Sequence, residues 1–164
     1  MQERHDREQY FFDASTRDAL AHALLPFDQP CCLCCPTLGC ELVQRGHHAH
    51  VLDIDERFAS VPGFRRFDVT KPAWLGLSFG LIVCDPPFFT VSLRTLVRTI
   101  RMLSQHNPAQ PLAVTYLKRR EAALLHAFAA FGLQPTGFRC TYTTVDPSPR
   151  NAIELYANVT LNLK

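Results

Sequence analysis

Short apolar runs and amphipathic stretches take turns along this chain, and their order predicts alternating strands and helices. Behind a polar start, Gln9-Tyr10-Phe11-Phe12 leads to Asp13 and Ser15, both N-cap types. Leu20, Ala23 and Leu24 then recur at helical spacing until Pro26 stops the run. Cys31 to Cys35 predicts a small buried strand, and Pro36 to Gly39 a loop leading into a short helix that ends near Gly46. His50 to Asp55 predicts a second strand with acids at its carboxyl end, and Phe64 to Phe67 a third, followed by Asp68. The continuous apolar run Leu81 to Cys84 suits a strand buried on both faces, and two prolines end it. From Val91 to Leu103, Leu93, Leu96, Val97, Ile100 and Leu103 share one helical face, with Arg94, Arg98 and Arg101 on another. Leu112 to Tyr116 predicts a fifth strand, and a helix from about Arg120 to Phe131 stops at Gly132. Phe138 to Val145 and Ile153 to Val159 predict an antiparallel pair joined by residues 146–151.

This order implies an α/β domain: a mostly parallel sheet, helices on both faces, and a C-terminal antiparallel hairpin. Ligands of open α/β sheets bind outside the carboxyl ends of the strands. Pro36 to Gly39, Asp53 to Asp55, Asp68 and Asp85 to Phe88 all fall at such ends and are expected to share one cleft. The 164 residues suit one domain over residues 9–164 behind a polar tail, residues 1–8. At 47% hydrophobic and 20% charged, the composition is globular, and no stretch approaches the roughly 20 apolar residues of a membrane-spanning helix. The charged MQERHDRE start lacks the apolar core of a secretory signal, and 7 cysteines, crowded at 31–35, make a poor disulfide framework. Both point to a reducing, cytoplasmic setting and no membrane. A net charge of +2 is too mild to argue for nucleic acid by itself.

Asp85-Pro86-Pro87-Phe88 is the most informative segment. An exocyclic amine such as adenine N6 is a poor nucleophile, because its lone pair is delocalised into the ring. Acceptors that hold its two N–H bonds turn the lone pair toward an electrophile. Here Asp85 supplies one acceptor and the Pro86 carbonyl the other. The prolines, Pro87 included, fix the carbonyl's direction and Phe88 stacks on the base. The bland alternative is a Pro-Pro turn with a core phenylalanine.

Four ordered segments resemble one family: Gln9-Tyr10-Phe11-Phe12-Asp13, Cys35-Pro36-Thr37-Leu38, Leu52-Asp53-Ile54-Asp55-Glu56-Arg57-Phe58-Ala59 and Asp85-Pro86-Pro87-Phe88. Together they are similar to the probable N6-adenine methyltransferases, a family that includes a ribosomal RNA adenine methyltransferase and elongation-factor lysine methyltransferases. The resemblance runs from about Gln9 to Val159. It implies a Rossmann-like class I methyltransferase fold and S-adenosyl-L-methionine as cofactor, with no metal. It implies further that Asp85, Pro86, Pro87 and Phe88 are catalytic and that Cys35, Pro36, Thr37 and Gly39 approach the methionine part of the cofactor. Asp53 or Asp55 then holds the ribose, and Asp68 stands near the cofactor's adenine. Tyr10, Phe11 and Phe12 line the cleft, and Phe89, Lys118 and Arg119 join them on the substrate side. The loop after the first strand departs from the usual glycine-rich form. An acid about 20 residues beyond a βα turn also suits a nicotinamide enzyme, but the shortage of glycines argues against a bound pyrophosphate.

Cys31, Cys32, Cys34, Cys35 and Cys40 with His47, His48 and His50 carry zinc-like spacings. In a strand, however, Cys32 and Cys34 face opposite to Cys31 and Cys35, so buried filler is the better reading. Arg65, Arg66, Arg94, Arg98, Arg101, Lys118, Arg119 and Arg120 are candidates for a phosphate-binding surface, or else solvated helix faces. The leading expectation is N-methylation of adenine in RNA or DNA. Lysine methylation on a protein and a degenerate, non-catalytic binding subunit are the alternatives, and a protein partner for target recognition is compatible with each.

Overall fold

A computed structural model describes residues 1–163. Its seven strands are β1 (Cys31–Leu33), β2 (His50–Asp53), β3 (Phe64–Arg66), β4 (Ile82–Cys84), β5 (Leu112–Leu117), β6 (Gln134–Cys140) and β7 (Ile153–Ala157). They form one sheet in the order β3-β2-β1-β4-β5-β7-β6. The first five strands run parallel, while β7 is antiparallel to both β5 and β6. Helices α1 (Ala14–Leu24) and α2 (Pro36–Gln44) cover one face with Leu20, Leu24, Leu38 and Leu42. Helices α3 (Leu93–Leu103) and α4 (Glu121–Ala127) cover the other with Leu96, Ile100 and Leu124, joined by Phe128 just beyond α4. The doubly covered α/β sheet is thus as the sequence predicts.

Register sets the site. Leu33 pairs with Leu52 and with Cys84, and Cys84 with Val114. One residue further along each strand therefore stands Cys34, Asp53, Asp85 and Thr115, a row across the carboxyl end of the sheet.

β1 and β2 end two residues earlier than the sequence-based expectation, at Leu33 and Asp53, and α4 ends at Ala127; three larger differences follow. Pro36 to Gly39 is not a loop but the first turn of α2, because Pro36 sits at N1, where its fixed φ and missing N–H suit a helix. β6 runs from Gln134 to Cys140 rather than from Phe138 to Val145. It is an edge strand and largely exposed, so its residues lack an apolar rhythm and tolerate Pro135, and the register shifts between Pro135 and Arg139. Thr141 to Thr143 leave β6 to run antiparallel to Phe11 to Asp13. Residues 1–8, set apart by polarity as a tail, are docked on the domain: Glu3 accepts from the Phe11 N–H at 2.7 Å and Glu8 from the Thr90 N–H at 3.0 Å. No helix among the described residues is long and apolar enough to cross a membrane.

Candidate active site

A cleft of about 310 Å³ opens at the carboxyl end of the sheet, at the low end of the range typical for small-molecule sites. It gathers Asp53, Asp55, Asp68, Asp85, Pro86, Pro87 and Phe88 from the ends of β2, β3 and β4, with Cys34 from the end of β1 and Tyr10 from the N-terminal segment.

Asp85 is buried beyond β4, where its N–H donates to the Leu33 carbonyl at 3.1 Å. Two hydroxyls converge on one of its oxygens: Tyr142 Oη donates to Oδ1 at 2.7 Å, and Thr115 Oγ1 donates to the same atom. Oδ2 accepts no hydrogen bond from the described residues, and neither does the Pro86 carbonyl. Burial pushes the Asp85 carboxyl up to about 7, while the two hydroxyls hold it back. Phe88 is half-buried, packs edge-on to Tyr116 at 5.6 Å and lines the cleft.

Asp53 and Asp55, two residues apart, differ in state. Asp55 is clamped by both Arg57 Nε and Nη2 and by Gln9 Nε2 at 3.0 Å, and Arg57 holds it well below the usual carboxylate range. Asp53 accepts the Asp55 N–H at 2.8 Å through Oδ1, no side chain among the described residues donates to it, and burial pushes its carboxyl up to about 6. Asp53 is therefore the acid with an oxygen to spare for a ligand. Asp68 is turned on its own loop, accepting from the Thr70 N–H at 3.0 Å and from its hydroxyl at 2.6 Å, yet still borders the cleft.

Other predicted site residues lie elsewhere. Cys35, Pro36, Thr37 and Gly39 do not line the cleft. Cys35 and Pro36 are buried, and a Cβ on Gly39 would meet Val51 Cγ2 at 2.4 Å, so that glycine lets α2 approach β2. The residue of this turn that does reach the cleft is Cys34, whose φ of 60° takes it off the strand into left-handed conformation. It therefore shares a core with Cys31 and not with Cys32, opposite to the alternation the sequence predicts. All seven cysteines are free, and burial pushes the Cys31, Cys35, Cys84 and Cys140 thiols well up. Five of them, Cys31, Cys32, Cys35, Cys84 and Cys140, are buried in the interior, while Cys34 and Cys40 are half-buried.

Of the aromatic N-terminal run, Tyr10 alone faces the cleft. Phe11 sits edge-on to Phe58 at 6.1 Å, and Phe12 packs on Tyr142 at 5.1 Å. Phe12 is also bridged by backbone to Tyr142, so it positions the side chain that holds Asp85. Phe89 is exposed, with the Arg119 guanidinium 6.0 Å above its ring. Lys118 is tied to Glu121 and, at 2.8 Å, to Glu154, away from the cleft. Sequence patterning misses Thr115, Tyr142 and Glu8. Glu8 accepts from the Phe89 N–H at 3.3 Å and the Thr90 hydroxyl at 2.8 Å, strapping the N-terminal segment to the loop after β4. A polar residue amid apolar strand β5, Thr115, is the only one of the three with a signal in the sequence.

Fold and cleft define a class I methyltransferase. Residues 3–161 match the profile of the family described as probable N6-adenine methyltransferase, so the chain belongs to that family and takes S-adenosylmethionine as its cofactor. Among solved structures, it is similar to a S-adenosylmethionine-dependent methyltransferase from Clostridium acetobutylicum, at 10% identity and TM-score 0.61 over 91% of each chain. The magnesium protoporphyrin IX methyltransferase of Synechocystis gives 15% identity and TM-score 0.59 over 88% of this chain and 78% of that one. A TehB-like methyltransferase from Corynebacterium glutamicum gives 13% and 0.57 over 87% and 86%. No curated protein matches by sequence.

Proposed function

We propose that this methyltransferase acts on an exocyclic amino group, adenine N6 in RNA or DNA. The observation that carries the reading is the asymmetric Asp85 carboxylate: Oδ1 is saturated by Thr115 and Tyr142, and Oδ2 is left for the cleft. Oδ2 and the Pro86 carbonyl are two acceptors on consecutive residues, the pair needed to hold both N–H bonds of a planar amine and aim its lone pair. Phe88 supplies an aromatic face for the base, with Tyr10 on the N-terminal side of the cleft.

The cofactor fits this cleft by chemistry. Asp53, with a free carboxylate oxygen, suits the ribose hydroxyls, Asp68 borders the same end, and Ile54, Phe67 and Val69 provide apolar wall for its adenine. Cys34, rather than Cys35 to Gly39, is the residue of the β1–α2 turn that reaches the site. When bound, S-adenosylmethionine supplies an electrophilic methyl group. As the nitrogen gains its bond to carbon it must lose one proton, and Asp85, near 7, is matched to hold that proton at neutral pH.

The test is methylation by purified protein of RNA and DNA oligonucleotides and of a protein extract, read by mass spectrometry. N6-methyladenine in a nucleic acid is the expected product. Methyl-lysine without methyladenine would overturn the assignment.

A further inference from the structure

Charge is unevenly spread along the chain. Residues 86–145 contain 7 of the 17 lysines and arginines but only 1 of the 15 aspartates and glutamates. That single acid, Glu121, is committed to Lys118 and, at 2.9 Å, to the Tyr156 hydroxyl. Three of the seven, Arg94, Arg98 and Arg101, line a groove between α3 and α4 together with His106 and His126, with no acid among its lining residues. Arg94, Arg98 and Arg101 are all exposed, and none forms an ion pair with a described residue.

Arginines at this spacing make one stripe along a helix and repel one another. A helix face serving only solvation interleaves acids to relieve that repulsion, and α3 has none. The amino end of the stripe follows the cleft loop closely in sequence. α3 begins just beyond Phe88 and Phe89, Arg119 lies over Phe89, and Arg120 donates to the Phe88 carbonyl at 3.3 Å. From Arg94 to Arg101 the helix rises about 10 Å, roughly three nucleotides of a stacked strand at about 3.4 Å each. The basic residues of β3, Arg65 and Arg66, stand at the far edge of the sheet and are not part of this surface, contrary to a single basic face.

We propose that the α3–α4 groove is the track for the phosphate backbone of the strand whose adenine enters the cleft, with Arg119, Arg120 and Phe89 bridging groove and catalytic loop. The proposal rests on the nucleic-acid reading above and explains how a small domain holds an extended substrate. A protein substrate would have to offer a run of acidic side chains in place of phosphates.

The test is binding of a fluorescein-labelled 20-nucleotide oligoadenylate by anisotropy between 50 and 300 mM KCl. Wild type is compared with R94Q/R98Q/R101Q and with R65Q/R66Q. Five arginines in contact predict a slope of log affinity on log salt of about −3.5, falling to about −1.4 in the triple variant, with affinity lower by on the order of 100-fold at 0.1 M salt. S-adenosylmethionine affinity and Tm are expected to stay unchanged in the triple variant, and R65Q/R66Q to bind as wild type does. Equal oligoadenylate affinity and slope in wild type and triple variant would overturn the track, as would equal weakening in R65Q/R66Q. Groove-dependent binding without methylation of any adenine would instead overturn the proposed reaction and leave the track standing.

Discussion

Tyr142 donates its phenolic hydrogen to Asp85 Oδ1 at 2.7 Å across 57 positions of sequence. With Thr115 on the same oxygen, it decides which carboxylate oxygen is presented to the cleft. A free aspartate would present either.

Asp85 must be ionised to accept an N–H bond through Oδ2, so the rate is expected to rise with pH through about 7, the value to which burial lifts its carboxyl. The Tyr142 hydrogen bond lowers that value, because it stabilises the charged form. Tyr142→Phe removes it and should move the acid limb of the pH–rate profile upward by about one to two units, since a hydrogen bond to a charged group is worth roughly 1.5–3 kcal/mol. The profile of kcat against pH for the two proteins checks this, and an unmoved limb would show that Tyr142 is only packing.

Asp53→Asn keeps the acceptor for the Asp55 N–H but removes the negative charge. S-adenosylmethionine affinity is expected to fall by about 10- to 100-fold, the worth of a charge-assisted bond. In wild type the affinity should weaken below pH of about 6, where the Asp53 carboxyl takes up its proton. Calorimetry on both proteins at pH 5.5 and 7.5 makes the comparison.

For Gly39→Ala the account predicts a stability effect. The added methyl would meet Val51 Cγ2 at 2.4 Å, forcing α2 away from β2 at a cost of about 1–3 kcal/mol. Thermal unfolding should show a lower Tm, with cofactor affinity of the folded fraction unchanged. Affinity loss without loss of Tm would return Gly39 to the cofactor site.

Glu8→Ala cuts the strap to Phe89 and Thr90. The catalytic loop loses its order toward substrate, so KM for an oligonucleotide should rise several-fold. Tm should barely change, because these bonds are solvent-exposed.

Much of the site is legible in the sequence where a local signal exists. An apolar run ending in Asp85-Pro86-Pro87-Phe88 announces a buried strand and an abrupt end, and acids after β2 and β3 mark the same edge of the sheet. Partnerships set by topology are not legible. Tyr142 reaches Asp85 only because the chain leaves β6 to run beside Phe12, and no periodicity within 134–145 encodes that crossing. Pro36 to Gly39 is misjudged because a glycine after a first strand suggests a loop, whereas proline at N1 starts a helix. Residues 1–8 look like a tail because hydropathy is blind to carboxylates that cap backbone N–H groups.

The most direct test of the central claim pairs two readouts on Asp85→Ala: S-adenosylmethionine binding by calorimetry, and N6-methyladenine formation by mass spectrometry. The account predicts cofactor affinity within a few-fold of wild type and methyl transfer reduced by about 100-fold or more, as for loss of a preorganised polar group at the reacting centre. Transfer at the wild-type rate by the alanine variant would contradict it.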